Sequence, residues 1–262
     1  MSQSFLETID ERGVATLTLN RAERHNCFDD ELITGLIDAL KRQEADANIR
    51  VVVLSSVGRS FSAGADLDWM RRMADQSFET NLADAGRLAA LMQMLDRLPK
   101  PTLALVQGPA YGGGVGLVAC CDVVIASERA SFALSEVTLG LAPATISPYV
   151  INAIGARWAR RYFQSAEVFT AARAREIGLV HEVVGETELV MAGEMVLRAI
   201  LKGAPGAQAA AKDLVFLREG RAVDATLGEE TSRRIAERRA SAEGREGIAA
   251  FLAKRAPEWR RG

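Results

Sequence analysis

Three glycines in a row, Gly112 to Gly114, separate two apolar segments of different character. Residues 101–106 follow a proline and are typical of a buried parallel strand, whereas residues 115–121 have the character of a helix. A glycine-rich turn lets the backbone approach a ligand closely, and a helix start leaves N–H groups that favour negative charge. The turn therefore offers backbone donors to an anionic group. Tight packing of strand against helix is the alternative.

A second candidate donor lies in residues 61–67, which read FSAGADL. Gly64 stands between two alanines, so the backbone is sterically open, and Asp66 is placed to cap a helix beginning near Leu67. The N–H of Ala65 is then exposed, and two strand ends with bare N–H groups can converge on one oxygen. The alternative is an ordinary loop of small residues with an N-cap.

Glu136 is the candidate acid–base group. Residues 131–136 alternate in polarity, so Phe132, Leu134 and Glu136 share one face if the segment is extended. A carboxylate in line with two apolar side chains is partly desolvated, which raises its pKa and makes it a better base. The alternative is a strand that ends at Glu136 with the side chain turned to solvent.

Composition excludes several classes of protein. The 262 residues are 48% hydrophobic and 25% charged, which is ordinary for a soluble globular protein. A net charge of −2 argues against binding of nucleic acid. No apolar run reaches the roughly 20 residues of a membrane span, and the first residues lack the pattern of a secretory signal. We therefore expect a cytoplasmic protein that does not bind membranes.

Cysteine and histidine usage fits this expectation. Cys27, Cys120 and Cys121 suit a reducing cytoplasm, and the adjacent pair lies in an apolar segment typical of a core. His25 and His181 are far apart, so no cluster with metal-ligand spacing is visible, and no His-based nucleophilic mechanism has local support. We expect no metal and no cofactor.

The elements that must position these groups indicate an α/β core. Residues 5–9 and 14–19 predict an N-terminal hairpin, a helix with apolar positions from Leu32 to Leu40 follows, and residues 51–54 predict a parallel strand. After residue 145 helical patterns dominate. We predict an α/β core over residues 1–195 and a helical C-terminal region over residues 196–262.

Five motifs together resemble the enoyl-CoA hydratase/isomerase (crotonase) superfamily. They are FSAGADL at 61–67, GPAYGGGVGL at 108–117, FALSEVTLGL at 132–141, AREIGLVHEVV at 174–184 and EGIAAFLAKRAP at 246–257. The resemblance implies a β-β-α superhelix with a helical C-terminal region that forms trimers, often paired into hexamers. It implies an acyl-CoA thioester as ligand and an oxyanion hole made by the N–H groups of Ala65 and Gly113.

The carboxylates depart from the pattern of the two-glutamate hydratases of that superfamily. Glu136 matches their second glutamate, but Gly116 stands where the first would be. Members that keep only the second glutamate include enoyl-CoA isomerases and bacterial hydratases of branched glutaconyl-CoA. The resemblance is closest to the latter, which implies 3-methylglutaconyl-CoA hydration. Isomerisation of a 3-enoyl-CoA and a non-catalytic acyl-CoA-binding scaffold are the alternatives.

The resemblance also implies residues that contact substrate or CoA. Arg24 matches a segment that contacts CoA, and Phe251 and Lys254 match an aromatic and a lysine of the C-terminal helix. An aromatic face suits adenine, and the cations suit phosphates. A last helix is predicted near residues 243–254, and a spacing of three places Phe251 and Lys254 on one face of it; a core Phe251 with a solvated Lys254 is the alternative. The remaining implied contacts are Ala63, Asp66, Leu67 and Gly112.

Overall fold

The computed structural model describes residues 3–260. Its strands are β1 (Phe5–Ile9), β2 (Val14–Leu19), β3 (Val51–Ser56), β4 (Thr102–Val106), β5 (Ala110–Tyr111), β6 (Val123–Ser127), β7 (Ser131–Ala133), β8 (Phe169–Thr170) and β9 (Glu182–Val184). Its helices are α1 (Asp30–Ala45), α2 (Leu67–Ala74), α3 (Phe78–Arg97), α4 (Gly113–Cys120), α5 (Ser147–Ser165), α6 (Ala171–Glu176), α7 (Leu189–Ile200), α8 (Pro205–Arg218), α9 (Ala225–Ala240) and α10 (Ala242–Leu252). This mixed α/β arrangement agrees with the fold class expected from the sequence.

Six strands form the main sheet in the order β1-β2-β3-β4-β6-β9. The hairpin of β1 and β2 is antiparallel, and every other neighbouring pair is parallel. The hairpin has the bounds that the sequence predicts, and the side chain of Asp10 accepts hydrogen bonds from the N–H groups of Arg12 and Val14 in its turn. Parallel strands end at one edge of a sheet, so the loops after β3 and β4 emerge side by side.

Both faces of the sheet are covered, which explains why its central strands are apolar throughout. Side chains alternate between the two faces: Val52 and Leu54 join the main core with α1, α3 and α4, whereas Val51 and Val53 pack with α7 on the other face. Helix α7 is therefore part of the sheet's packing. The sequence-based division between residues 195 and 196 falls inside α7, and the division into two regions stays a prediction.

A small second sheet, in the order β5-β7-β8, lies where the candidate residues occur. Isolated bridges join Ser62 to Ala110 and Phe28 to Ala65. These bridges link the loop after β3 to β5 and to the segment that precedes α1. The two glycine-containing loops are thus held to each other by backbone hydrogen bonds.

Three local expectations differ from the structure. Strand β7 ends at Ala133, and Glu136 begins a 3-10 turn that runs to Leu139, so Phe132, Leu134 and Glu136 do not form one extended face. The ladder stops there because its partners β5 and β8 are two residues long. The glycine helix begins at Gly113 and not near residue 115.

The third correction concerns the C-terminus. Helix α10 ends at Leu252, and Lys254 adopts a left-handed conformation with φ of 49°. Phe251 and Lys254 therefore do not share a helix face. No helix within residues 3–260 is long and apolar enough to cross a membrane.

Candidate active site

The two glycine loops meet at Gly112. The N–H of Tyr111 donates to the carbonyl of Ser62 at 2.8 Å, which brings the loops into contact. A Cβ atom on Gly112 would lie 3.2 Å from Oε1 of Glu136 and 3.8 Å from Cα of Gly64. Gly112 also has φ of 51°, which favours glycine. The structure thus brings the loop of Ala65, the glycine triplet and Glu136 together around one point.

The N–H of Ala65 is free to bind a ligand. Phe28 pairs with the residues on either side, since its N–H donates to the carbonyl of Gly64 at 2.7 Å and its carbonyl accepts from Asp66 at 2.8 Å. In a bridge of this kind the residue between those two directs its own N–H to the opposite side. Within residues 3–260 the N–H of Ala65 meets no acceptor, and Ala65 is exposed.

The N–H of Gly113 is the second free donor. Gly113 is the first residue of α4, so its N–H has no acceptor within the helix, and none occurs elsewhere in the described part of the chain. The neighbouring Gly112 N–H is already used, because it donates to the carbonyl of Ala133 at 2.9 Å. Helix α4 adds its dipole to the Gly113 donor.

Glu136 presents a carboxyl group to this point without a structural partner. Its Oε2 atom is buried and makes no hydrogen bond with any residue from 3 to 260. Burial raises the pKa of Glu136 above that of an ordinary glutamate, and a hydrogen bond from its own backbone N–H opposes this in part. A desolvated carboxyl group with one oxygen free of hydrogen bonds is suited to proton transfer.

Apolar side chains fill the space next to Gly116. A Cβ atom there would lie 2.3 Å from Cγ2 and 3.0 Å from Cβ of Ile146, and 3.1 Å from Cε of Met92. Because two of these atoms belong to the branched part of Ile146, a larger residue requires the wall to move. Position 116 therefore lacks a carboxylate and also has no room for a larger side chain.

Asp66 anchors the first loop. Its Oδ1 accepts the N–H groups of Asp68 and Trp69, which makes it the expected cap of α2. Its Oδ2 accepts Arg24 at 2.8 Å and the thiol of Cys27 at 3.2 Å. Burial alone would raise the pKa of Asp66, but the bonds from Trp69, Cys27 and Asp68 and the charge of Arg24 lower it below the ordinary value.

The other predicted contact residues separate into two groups. Ala63 and Leu67 are exposed beside Ala65. The guanidinium of Arg24 pairs with Asp66, and half of the Arg24 side chain stays exposed. Phe251 is 82% exposed. No hydrogen bond or ion pair within residues 3–260 connects Phe251 or Lys254 to the glycine loops or to Glu136. The structure therefore does not bring the C-terminal pair to this site.

Sequence reasoning missed Phe28 and Ile146. Nothing in the local pattern marks either residue, because each is defined by a contact with a glycine that is distant in sequence: Phe28 packs on Gly113, and Ile146 packs on Gly116. Within the described part of the chain no three His, Cys, Asp or Glu side chains are placed to hold a metal ion.

Comparisons with known proteins identify the family of the chain. The chain matches the sequence model of the enoyl-CoA hydratase/isomerase family over residues 10–262. It is 34% identical to the 2,3-dehydroadipyl-CoA hydratase of Escherichia coli over 252 residues, 95% of this chain and 96% of that one. It is 33% identical to the 1,2-epoxyphenylacetyl-CoA isomerase of the same organism, over 97% of this chain and 98% of that one.

The fold of the chain is also similar to solved structures of this family. The crystal structure of an enoyl-CoA hydratase from Shewanella pealeana superposes with a TM-score of 0.95 at 46% identity, over 98% of this chain and 96% of the other. Sequence and fold thus match over almost the whole length of the chain. The protein belongs to the enoyl-CoA hydratase/isomerase, or crotonase, family and is an enzyme of the enoyl-CoA hydratase type.

Proposed function

We propose that the protein adds water to a 2-enoyl-CoA thioester, with Glu136 as its only catalytic carboxylate and the N–H groups of Ala65 and Gly113 as the oxyanion hole. One observation carries this proposal: two backbone N–H groups without acceptors within residues 3–260, and a carboxyl oxygen without a donor there, lie around Gly112. No cofactor is required, since the thioester itself stabilises charge next to its carbonyl.

The two donors act on the thioester oxygen. Hydrogen bonds to this oxygen gain most strength when addition at C3 drives negative charge onto it, so they favour the enolate-like transition state over bound substrate. Loss of one such donor typically costs about 3–4 kcal/mol. Both donors are backbone groups fixed by the bridge at Ala65 and by the start of α4, so little reorganisation accompanies the reaction.

Glu136 handles both protons. As the carboxylate it takes a proton from water, whose oxygen bonds to C3. As the acid it returns a proton to C2 when the enolate collapses. Delivery by one residue from one side gives syn addition. A raised pKa suits both roles, because the group must accept and then release a proton near neutral pH.

The substrate class is inferred from the resemblance of the motifs. We infer 3-methylglutaconyl-CoA or a close relative, because the motifs resemble branched glutaconyl-CoA hydratases with one glutamate. The apolar atoms of Ile146 and Met92 at Gly116 also favour a second candidate, isomerisation of a 3-enoyl-CoA. There Glu136 would move a proton from C2 to C4 while water is excluded.

The remaining roles are proposals of the same kind. Ala63, Leu67, Asp66, Gly112 and Arg24 would line the path of the acyl-CoA. Phe251 and Lys254 would reach CoA only across a subunit boundary, which fits a homotrimer or a dimer of trimers and the 82% exposure of Phe251. All three cysteines are free, as expected in a reducing cytoplasm.

A panel assay tests the proposal. Crotonyl-CoA, 3-methylglutaconyl-CoA and a 3-enoyl-CoA are supplied separately, and loss of the conjugated double bond or its formation is followed. Hydration of 3-methylglutaconyl-CoA as the fastest reaction supports the proposal. Fastest conversion of the 3-enoyl-CoA to its 2-enoyl isomer supports isomerase activity. Tight binding of all three thioesters without turnover would leave a scaffold and contradict catalysis.

A further inference from the structure

Phe28 is the residue that touches the backbone of both donors. Its own N–H and carbonyl pair with Gly64 and Asp66, the neighbours of Ala65. Its ring lies against the other donor, since a Cβ atom on Gly113 would be 3.3 Å from Cδ2 and from Cε2 of Phe28. The side chain is 2% exposed, so it cannot move aside into solvent.

From these contacts we infer that Phe28 is a positioning residue that sets the separation between the N–H groups of Ala65 and Gly113. The inference rests on the proposed oxyanion role of those donors. The backbone of Phe28 fixes the first donor in register, and the ring is the spacer on which the first turn of α4 rests.

Glycine at 113 makes the spacing sensitive to the ring. With no Cβ on Gly113, the backbone that carries the donor rests directly on the aromatic carbons. Interiors are close-packed, so a smaller side chain at position 28 leaves a void or lets α4 settle toward it. Settling of α4 moves the Gly113 N–H relative to the Ala65 N–H, and a void removes the support that holds it in place. The backbone bridge at Ala65 does not depend on the side chain.

The rest of the segment before α1 holds the same loop. The carbonyl of His25 accepts the N–H of Ala63 at 2.9 Å, and the side-chain amide of Asn26 donates to the carbonyls of Val57 and Ser60, both at 2.8 Å. These contacts fix the loop of the first donor without reaching α4. Phe28 adds a contact with the second donor, since its ring atoms are the ones nearest to a Cβ atom on Gly113.

Kinetics of Phe28→Leu test the inference. The variant keeps the backbone bridge and an apolar side chain but loses the ring beneath Gly113. We expect kcat to fall by about 10- to 100-fold with KM nearly unchanged, since displacements on the order of 1 Å have effects of this size on the chemical step. Phe169→Leu is the matched control, because Phe169 is also buried, at 4% exposure, and packs instead on Phe132 and Tyr162.

A spectroscopic readout separates positioning from stability. Butanoyl-CoA labelled with 13C at the thioester carbonyl binds without reacting, and its infrared carbonyl band moves to lower frequency when two donors polarise it. We expect a smaller downward shift in Phe28→Leu than in the wild type and in Phe169→Leu. If Phe28→Leu does not fold, Phe28→Met, which keeps the length of the side chain, takes its place.

Each outcome is decisive. Wild-type kcat and carbonyl frequency in a folded Phe28 variant would overturn the spacer role, even if Tm falls as far as in Phe169→Leu. No band shift in the wild-type complex would instead overturn the oxyanion proposal itself, and the inference with it.

Discussion

Two carboxylates of the candidate site, Glu136 and Asp66, have opposite hydrogen-bonding environments. Asp66 accepts two backbone N–H groups, a thiol and a guanidinium, and its pKa is lowered. Glu136 has a buried oxygen with no partner among residues 3–260, and its pKa is raised. Hydrogen bonds to the charged form favour that form, whereas burial without them disfavours it.

The difference separates a structural carboxylate from a reactive one. Asp66 is committed to holding the loop of Ala65 and has no free capacity for a proton. The Oε2 atom of Glu136 is buried without a donor among residues 3–260, beside the two glycine loops, which costs stability and leaves a group ready to exchange protons. Removal of the Glu136 carboxylate should therefore lower activity more than stability, whereas removal of the Asp66 carboxylate should chiefly lower stability.

The largest effect is expected for Glu136→Gln. The amide keeps the shape of the side chain but cannot act as a base, and loss of a general acid–base typically costs about 10²–10⁴-fold in rate. Turnover of the best substrate is measured with circular dichroism as a check of folding. Near-normal kcat in the folded variant would exclude Glu136 as the base.

The second-largest loss of kcat is expected for Gly113→Pro. Proline is tolerated at the first position of a helix but has no N–H, and loss of one oxyanion donor costs about 10²–10³-fold in kcat. Gly113→Ala is the control, because it also adds a Cβ next to Phe28 but keeps the N–H. Equal kcat in the two variants would show that the N–H takes no part.

Gly116→Ala tests whether a second carboxylate has room in this site. Its added carbon would meet Ile146 at 2.3 Å, so we expect overpacking to cost about 1–3 kcal/mol of unfolding free energy. Gly86→Ala, in the exposed face of α3 with no atom within 4 Å, should stabilise the protein by up to about 1 kcal/mol. Urea unfolding compares them, and a stabilised Gly116→Ala would mean that the wall at Ile146 yields easily.

The smallest effect is expected on stability when the charge of Glu136 is removed, and it should be opposite in sign to the effect of removing the charge of Asp66. Asp66→Asn should lower the unfolding free energy by about 2 kcal/mol at pH 7, because the amide cannot accept from Arg24 and Cys27 as the carboxylate does. Glu136→Gln should leave stability unchanged or raise it by about 1 kcal/mol, since an unpartnered buried charge is removed.

The pH dependence of these stability differences has a defined sign. The lowered pKa of Asp66 means that its contribution is present above the unfolded pKa and is lost as pH falls through the folded value. The raised pKa of Glu136 means that its cost is largest at neutral pH and disappears in acid below the unfolded pKa. Unfolding curves between pH 3 and pH 8 would contradict this if both variants changed in the same direction.

The parts of this fold that could be read from sequence are those set by local pattern. The hairpin of β1 and β2 follows from two strand segments separated by the turn Asp10 to Gly13, and the cap of α2 follows from Asp66 before the helix. The convergence of Gly64 and Gly112 was also foreseeable, because loops after neighbouring parallel strands emerge at one edge.

The parts that could not be read depend on distant partners. The alternation up to Glu136 predicts a strand, but short β5 and β8 end the ladder at Ala133. Ile146 closes the space at Gly116 from 30 residues away in the chain, and a turn after Leu252 removes Lys254 from the helix. Periodicity describes neighbours along the chain and carries no information about such contacts.

The most direct measurement is the titration of Glu136 itself. Carboxyl resonances of 13C-labelled glutamate give its pKa in the free protein, with Glu136→Gln identifying the signal, and the acid limb of kcat/KM gives the pKa of the catalytic base. If Glu136 is the base, both values coincide above that of an ordinary glutamate, and activity falls as pH decreases through them. A Glu136 that titrates at or below the ordinary value, or an acid limb that persists unchanged in Glu136→Gln, would contradict its role as the base.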